Sequence, residues 1–382
     1  MNIAIVAETA PAKAFIPIIE KIDADILSLT HSEGAMELLS PYSKEIFSIG
    51  EGRRNTAKKR SNFTIARLVL KDTIRTYNAL KKHPVDLTIT CGNAGDVRKG
   101  IAASKKLNLP KLHIEQDIYN PIEMIAYADL ITVPSKRAMK QLEELYDITN
   151  TVNIKGYPQA EYVGRVPILE AEKIYEQYQH DDFYVLFFGG DTRASDIPEI
   201  IKEVEKIDKT ILVIPYRFET SAITPHITKS NIFVVEGYVD LISLMNASQG
   251  VIYCAGMGIT IEVGALGVPA VKILGFHTQH ASNDLAQDLG INVVSTNDID
   301  HAVSRMKKPQ GKRLIKNGCK ASLKVAELTT SMDSYDQNCG GLSSLRKIWN
   351  HRKQYRWDIL NYLFLVLIYL EQFANNNTIF FI

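Results

Sequence analysis

The sequence predicts an α/β protein: two consecutive doubly wound parallel sheets, Rossmann-like in type, facing a central cleft. Three observations carry this. Short apolar runs alternate with amphipathic stretches along most of the 382 residues, the pattern of repeated βα units. The series occurs twice, once before residue 156 and again from residue 183. Between them, segment 156–182 holds Gly156, Pro158, Gly164 and Pro167 and then a charged stretch, as a linker does. Open parallel sheets bind ligands beyond the carboxyl ends of their strands, so two such halves imply a cleft between them.

In the first half, strands are expected at 2–8, 25–30, 45–50, 86–91, 110–115, 129–134 and 151–155. Most of the intervals read as helix. The longest, 62–82, repeats Ala66, Leu70, Thr73, Tyr77 and Leu80 at helical spacing. Residues 102–107 form another, which Asn108 and Pro110 end. In the second half, Phe183–Phe188 is a buried-strand run closed by Gly189-Gly190. Further strands fit 210–215, 231–235, 250–254, 269–274 and 291–295, with helices at 196–206, 240–247, 258–266, 279–289 and 297–306. The expected domains are 1–160 and 161–332, followed by an atypical extension, 333–382.

The bulk numbers agree with this class. Hydrophobic residues make up 46% and charged residues 23%, which excludes a disordered or fibrous chain. A net charge of +1 names no partner by global electrostatics. Cys91, Cys254, Cys319 and Cys339 form no CxxC pair, and the first two sit in strand-like runs. Buried free thiols in a reducing cytoplasm fit better than a disulfide framework or a zinc site. The chain opens on strand Asn2-Ile3-Ala4-Ile5-Val6 without a basic n-region, so no secretion is expected. The apolar run Ile359–Leu370 is shorter than the roughly 20 residues that span a bilayer as a helix.

Two segments of the second half carry chemistry. Gly189-Gly190-Asp191-Thr192 follows a strand and precedes a helix, where glycines admit a phosphate and a helix start offers free N–H groups. The bland alternative is a strand-ending turn. Ala255-Gly256-Met257-Gly258 also opens a helix, a seat for a diphosphate, and Glu262 farther on is placed to accept two ribose hydroxyls. The alternative for Glu262 is a favourable interaction with the helix dipole.

The Gly-x-Gly turn, the Glu within the helix and the following Gly267-Val268-Pro269-Ala270 resemble the donor half of GT-B glycosyltransferases. The likeness is strongest to the peptidoglycan N-acetylglucosaminyltransferase family that works on a polyprenyl-diphosphate lipid. It covers roughly residues 85–295. His113-Ile114-Glu115-Gln116-Asp117 resembles that family's His-Glu-Gln-Asn segment with one inserted residue, and Gly156-Tyr157-Pro158 its Gly-Asn-Pro linker motif. The resemblance implies that Gly189 and Gly190 face the diphosphate together with the Gly256-Met257-Gly258 turn. It implies Tyr238 and Val239 against uracil, Glu262 on the ribose, and Gln279 with His280 or Asn283 at the sugar. The local register of this last group slides by two or three residues.

One departure matters. The family's Gly-rich, His-containing first loop is replaced by Ala7-Glu8-Thr9-Ala10-Pro11-Ala12. Thr9-Ala10-Pro11 is more similar to the Thr-Arg-Pro loop of UDP-N-acetylglucosamine 2-epimerases. For that chemistry Glu115 fits the His-x-Glu segment and Glu123 the later Glu. Asn93 stands where the first Asp is expected, with Asp96 close by. The His expected after the first strand of the second half is missing, and Arg193 is nearby instead.

Sequence thus implies a UDP-sugar-dependent transferase. It moves N-acetylglucosamine or a relative to a cell-envelope, lipid-linked acceptor and requires no cofactor. The alternatives are a non-hydrolysing 2-epimerase and a catalytically silent sugar-nucleotide-binding module. Helix starts can stabilise a departing diphosphate without a metal, and no Asp-x-Asp signature lies near the donor residues. The acceptor hydroxyl still needs a base, for which the candidates are Glu8, Glu115 and His113. A histidine in an apolar strand is more often a satisfied core group.

Residues 53–82 hold ten Lys and Arg (Arg53, Arg54, Lys58, Lys59, Arg60, Arg67, Lys71, Arg75, Lys81, Lys82) against the single acid Asp72. This is either a solvated face or a contact for an anionic membrane surface, at about 1 kcal/mol per basic residue. No aromatic stacking platform accompanies it, so nucleic acid is not expected. The corresponding location is the cytoplasm, peripheral on the inner face of the cell membrane. In the tail, Arg346, Lys347, Arg352, Lys353, Arg356, Trp349 and Trp357 precede the apolar run. That segment either lies in a membrane interface, packs on the protein, or is an appended extension.

Overall fold

The computed structural model describes residues 1–50, 62–93, 95–216, 218–237, 239–277, 279–332 and 339–353. The stretch 53–60, Tyr238 and the apolar run 359–370 lie outside the described residues. The chain divides into two compact units. Unit 1 comprises 1–50, 62–159 and 317 onward, and unit 2 comprises Ala160–Lys316.

Unit 1 begins β1 (Asn2–Val6), α1 (Thr9–Ile19), β2 (Asp25–Thr30), α2 (Glu33–Leu39), β3 (Glu45–Ser48), α3 (Asn62–Lys82), β4 (Leu87–Cys91) and α4 (Gly95–Lys106). It continues with β5 (Lys111–Ile114), β6 (Leu130–Val133), α5 (Lys136–Tyr146) and β7 (Thr151–Asn153). Helix α6 (Pro158–Val163) straddles the boundary. Unit 2 then runs α7 (Ala171–Tyr178), β8 (Phe183–Phe188), α8 (Ile197–Val204), β9 (Thr210–Ile214), β10 (Ile232–Val234), α9 (Leu241–Ala247), β11 (Gly250–Cys254) and α10 (Met257–Leu266). It ends with β12 (Ala270–Ile273), α11 (Ala281–Asp288), β13 (Asn292–Val294) and α12 (Ile299–Val303). Helix α13 (Gly311–Thr330) leads back into unit 1, where α14 (Gly341–Lys353) packs against α5 and a short helical turn, Glu123–Tyr127.

Both sheets are wholly parallel. Their orders are β3-β2-β1-β4-β5-β6-β7 and β10-β9-β8-β11-β12-β13. In each, the first strand of the unit lies inside and the direction of winding reverses beside it, between β1 and β4 and between β8 and β11. Such reversals are where open α/β sheets leave a crevice for ligands. The strands are apolar on both faces because helices cover both, and clusters such as Leu186, Phe188, Ile211, Val213, Ile252 and Val271 form the core. Close helix-to-sheet packing has its own signature at Gly100 of α4. A Cβ there would stand 2.9 Å from Val6 Cγ2.

The thirteen strands expected from sequence are the thirteen found among the described residues, each within about two residues. Three expectations differ. Ala7–Ala12, read as a loop, is mostly helix, since α1 starts at Thr9. Pro11 sits in its first turn, where a missing N–H costs nothing. The 156–182 linker contains α6 and α7. Residues 317–332, assigned to the second domain, group with unit 1, as does α14 of the expected extension. Cys91 and Cys254 are buried free thiols. No described helix is long and apolar enough to cross a membrane.

Candidate functional site

At the reversal of unit 2, two turns lock together. The Gly189 N–H donates to Cys254 O at 2.8 Å and is shared with Thr192 Oγ1 at 3.2 Å, while Thr192 Oγ1 donates to the same Cys254 carbonyl at 2.9 Å. A Cβ on Gly189 would fall 2.3 Å from Ala255 Cβ, so only glycine allows this approach. Gly190 is exposed, with nothing within 4 Å of its Cβ position. The other turn starts α10 with Gly256 at the N-cap and no side chain capping the helix. N–H groups at a helix start attract an anion. Among the described residues, the Cβ position of Gly256 meets only the His280 ring, at 3.5 Å.

The loop after β12 closes on these turns. Asp191, 3% exposed, accepts from His277 Nδ1 at 2.6 Å through Oδ1 and takes the Phe276 N–H on its backbone carbonyl at 3.2 Å. Gly275 permits this, because a Cβ there would stand 2.0 Å from Asp191 Oδ2. His280 accepts the Ser282 N–H on Nδ1 at 3.0 Å, which caps α11 and leaves Nε2 as the protonated nitrogen of the neutral ring. Behind the Gly256 turn, Lys272 of β12 is fully buried. Its ammonium donates to Ala255 O at 2.5 Å and lies 5.3 Å from the Tyr253 ring centroid. Glu262 is 1% exposed and lies beyond the first turn of α10, where a helix dipole acts little.

At the reversal of unit 1, the groups are titratable instead. Glu8 follows β1, His31 follows β2, and Asp96 is the second residue of α4. His31 Nδ1 lies 2.7 Å from Asp96 Oδ1 and its Nε2 lies 3.5 Å from Glu8 Oε1. Lys99 stands 3.2 Å from Asp96 and 3.3 Å from Asp72. Burial disfavours the charged imidazole, but the Asp96 hydrogen bond and charge outweigh it and raise the His31 pKa above 6.5. Three potential ligand atoms of Glu8, His31 and Asp96 come within 4.8 Å of one another. However, the imidazole meets the two carboxylates through different nitrogens, and an ammonium already occupies Asp96. That is a proton relay in form rather than a coordination sphere.

Beside it, the β5 loop is densely hydrogen-bonded. His113, 0% exposed, meets Thr90 Oγ1 at 2.8 Å through Nδ1 and Glu115 Oε2 at 3.2 Å through Nε2. Glu115 Oε1 accepts the N–H groups of Gln116 at 2.9 Å and Asp117 at 2.8 Å. Asn93 donates to Asp117 Oδ2 at 3.2 Å and Asn120 O at 2.8 Å. Glu123, also 0% exposed, takes two bonds from Arg98 (2.8 and 3.1 Å) and lies 3.2 Å from Arg352 Nε of α14. Burial pushes its carboxyl pKa up, but the charges of Arg352 and Arg98 prevail and hold it at about 2. Burial also lowers the Arg352 pKa, and Glu123 draws it back.

No family model and no curated protein matches the chain in sequence. Solved structures do match in shape. A UDP-GlcNAc 2-epimerase of Methanocaldococcus jannaschii, in complex with UDP-GlcNAc and UDP, superposes with TM-score 0.65 at 18% identity, covering 87% of this chain and all of that one. The Neisseria meningitidis UDP-GlcNAc 2-epimerase bound to UDP-GlcNAc gives 0.66 at 14%, over 87% and 100%. The glycosyltransferase SnogD of Streptomyces nogalater gives 0.51 at 13%, over 87% and 98%. The chain has the GT-B fold.

Within that fold, sequence-expected residues fall into three groups. Gly189, Gly190, Gly256, Met257, Gly258, His280 and Asn283 gather at the carboxyl edge of the unit 2 sheet, with Gln279 exposed in the same loop and Val239 after β10. Glu8 stands in the unit 1 cluster. His113 and Glu115 are interior, with their polar atoms committed to neighbours. Sequence reasoning missed the His31–Asp96 pair, because nothing local in the chain joins β2 to α4. It also missed His277, although the register slide of two or three residues around Gln279 includes it.

Proposed function

We propose that this protein is a UDP-sugar-dependent glycosyltransferase, with the donor seated in unit 2 and the base for the acceptor in unit 1. The observation that carries the donor seat is the pair of interlocked turns, Gly189–Thr192 and Ala255–Gly258, the second of which opens helix α10. The diphosphate would lie on the α10 start and Gly190, Glu262 would hold the ribose, Val239 and Tyr238 the uracil, and Gln279, His280 or Asn283 the sugar. The acceptor oxygen attacks the anomeric carbon, the bond from that carbon to the diphosphate breaks, and UDP departs. The acceptor proton passes to His31 Nε2, which Asp96 orients and Glu8 adjoins. Helix-start N–H groups stabilise the charge that develops on the departing diphosphate.

The acceptor we favour is lipid-linked, of the cell envelope, and the sugar N-acetylglucosamine or a relative. Exposed Arg67, Lys71, Lys81 and Lys82 on α3 support contact with an anionic membrane, because the lone acid Asp72 is buried against Lys99 and Arg75. A second reading, the 2-epimerase, is favoured by the higher TM-scores of the epimerase structures. It asks for titrating carboxyls near the sugar: Asp96 and Glu8 stand in the unit 1 cluster, whereas Asn93 supplies none and the doubly paired Glu123 resists titration.

Incubation with UDP-N-acetylglucosamine alone separates the readings. Appearance of the manno epimer overturns the transferase. UDP release that depends on an added polyprenyl-diphosphate sugar supports it. Binding without turnover leaves a silent module. Glu262→Ala is expected to weaken UDP-sugar binding by tenfold or more. An unchanged affinity in the folded variant removes Glu262 from the site.

A further inference from the structure

A basic run leads from the end of α12 through α13, and the proposed reaction uses none of it. Acids make up 43 of the 382 residues, yet none lies between Asp300 and Glu327, a run that carries eight Lys and Arg. All eight are exposed. Among the described residues only one of them, Lys324, has an ion-pair partner, Glu327 at 3.0 Å.

Five of the eight stand on α13. Lys312, Lys316, Lys320 and Lys324 recur every four residues and Arg313 adjoins the first, so at 3.6 residues per turn they share an arc of about 120°. The opposite side of the helix is apolar and buried, with Leu314, Ala321, Val325 and Leu328. Leu314 Cδ2 would stand 3.1 Å from a Cβ on Gly264 of α10. The helix is thus half sunk in protein, with a cationic strip about 18 Å long on its outer side. Leu323 falls within that arc and is 51% exposed. Arg305, Lys307 and Lys308 continue the positive charge ahead of the helix.

Like charges four residues apart on a helix repel, and an ordinary solvated face relieves this by mixing the two signs. Here one sign is kept over six turns' worth of chain, which suits a polyanionic partner. A helix 10–12 Å across fills a major groove about 12 Å wide only if it is free on most sides, and α13 is buried along one. Residues 301–330 also contain no Phe, Tyr or Trp on which a base could stack. A flat anionic surface asks only for an exposed strip, and an exposed leucine among lysines can enter the boundary between headgroups and acyl chains.

We infer that the outer face of α13 docks on an anionic phospholipid surface, with Leu323 at the headgroup boundary. The inference goes beyond the contact suggested for α3 and is carried by α13 alone, whatever sugar or acceptor the protein uses.

Flotation of the full-length protein with phosphatidylcholine vesicles, made with and without phosphatidylglycerol, tests it. Wild type is expected to float with the phosphatidylglycerol vesicles and not with the neutral ones, and to be released by added salt. Lys316→Gln combined with Lys320→Gln is expected to lower that partition about tenfold or more. The same variant should keep its melting temperature and UDP affinity, because both side chains are exposed and unpaired among the described residues. Leu323→Ser is expected to lower the partition about threefold or more. Cys319 is exposed beside the strip. In a Cys339→Ser background, an environment-sensitive dye on Cys319 should shift to the blue when phosphatidylglycerol vesicles are added. Wild type that floats with neither vesicle, or equally with both, overturns the inference. An unchanged partition for the lysine pair, with the loss falling instead on Arg67→Gln combined with Lys71→Gln, leaves the α3 contact standing and overturns the one at α13. Binding to duplex DNA that is tighter than to vesicles and depends on Lys316 and Lys320 makes the partner a nucleic acid and overturns it as well.

Discussion

Replacing Glu123 by Gln keeps the shape of the β5 loop but removes one negative charge from between two buried guanidiniums. The side chains of Arg98 and Arg352 are each 6% exposed, and both point at this carboxylate. The structure sets the magnitude. A carboxyl held at about 2 against an ordinary 4.5 stores about 3 kcal/mol in the folded state, at about 1.4 kcal/mol per pH unit. Removing one partner from a buried ion pair costs about 3–5 kcal/mol by a separate route, and the two agree. For a unit of this size, each kcal/mol moves the melting temperature by about 2–4 °C, so the variant is expected to melt about 6–12 °C lower. The sign with pH follows from the lowered pKa. The stabilisation is complete above 4.5 and is lost as pH falls toward 2, so wild type should lose this increment in that window and the variant should not. Trp349 lies in α14 and is buried, so its fluorescence reports on α14 as it leaves the loop. A variant melting within 2 °C of wild type at pH 7, or with the same acid slope, refutes the argument.

Three further outcomes are expected. Asp96→Asn should lower the rate of acceptor-dependent UDP release about a hundredfold while leaving UDP affinity within twofold; an equal fall in both places Asp96 in folding rather than in proton transfer. The wild-type rate should rise with pH through the raised His31 pKa, above 6.5, because a base acts unprotonated, and in Asp96→Asn that limb should move to lower pH. The other charges on this imidazole are Glu8 and Lys99. Gly189→Ala puts a methyl 2.3 Å from Ala255 Cβ and must spread the two turns, so UDP affinity should fall tenfold or more. Titration calorimetry finding it unchanged would mean the turns do not act together.

How much was legible depended on distance along the chain. Strands were readable because Phe183–Phe188 or Gly250–Cys254 are continuous apolar runs, as fully buried parallel strands must be. The glycine turns were readable because a close approach leaves a residue type that no other can replace. The α1 start was misjudged because Ala7–Ala12 was matched to the first loops of the two families, although Pro11 falls in the tolerated first turn of a helix. The charge clusters were hidden for a different reason. Arg352 reaches Glu123 across the whole fold, and His31 reaches Asp96 between two βα units. Neither pairing leaves a local periodicity, so only the sheet order brings them together. Glu115 shows the converse: its motif was visible, but its commitment to two backbone N–H groups was not.

Each reversal holds a carboxylate–imidazole pair, but only that of unit 2 adds interlocked glycine turns at a helix start, and this difference argues for their roles. In unit 2 the two turns present backbone, with glycines, a helix start and one buried ammonium behind them, and the Asp191–His277 pair and His280 close beside them. Lys272 donates to the carbonyl of Ala255. In a trans peptide the N–H of Gly256 points the opposite way from that carbonyl, away from the ammonium. A charge-assisted bond on one end of a peptide polarises the other, so the buried lysine strengthens a donor at the start of α10. Such turns suit an anion that must be held and then stabilised as it leaves. In unit 1 the crevice is lined by Glu8, His31 and Asp96, which can move a proton but offer an anion nothing except Lys99, itself paired with Asp96 and Asp72. A reaction with an anionic leaving group and a separate hydroxyl to deprotonate needs one of each.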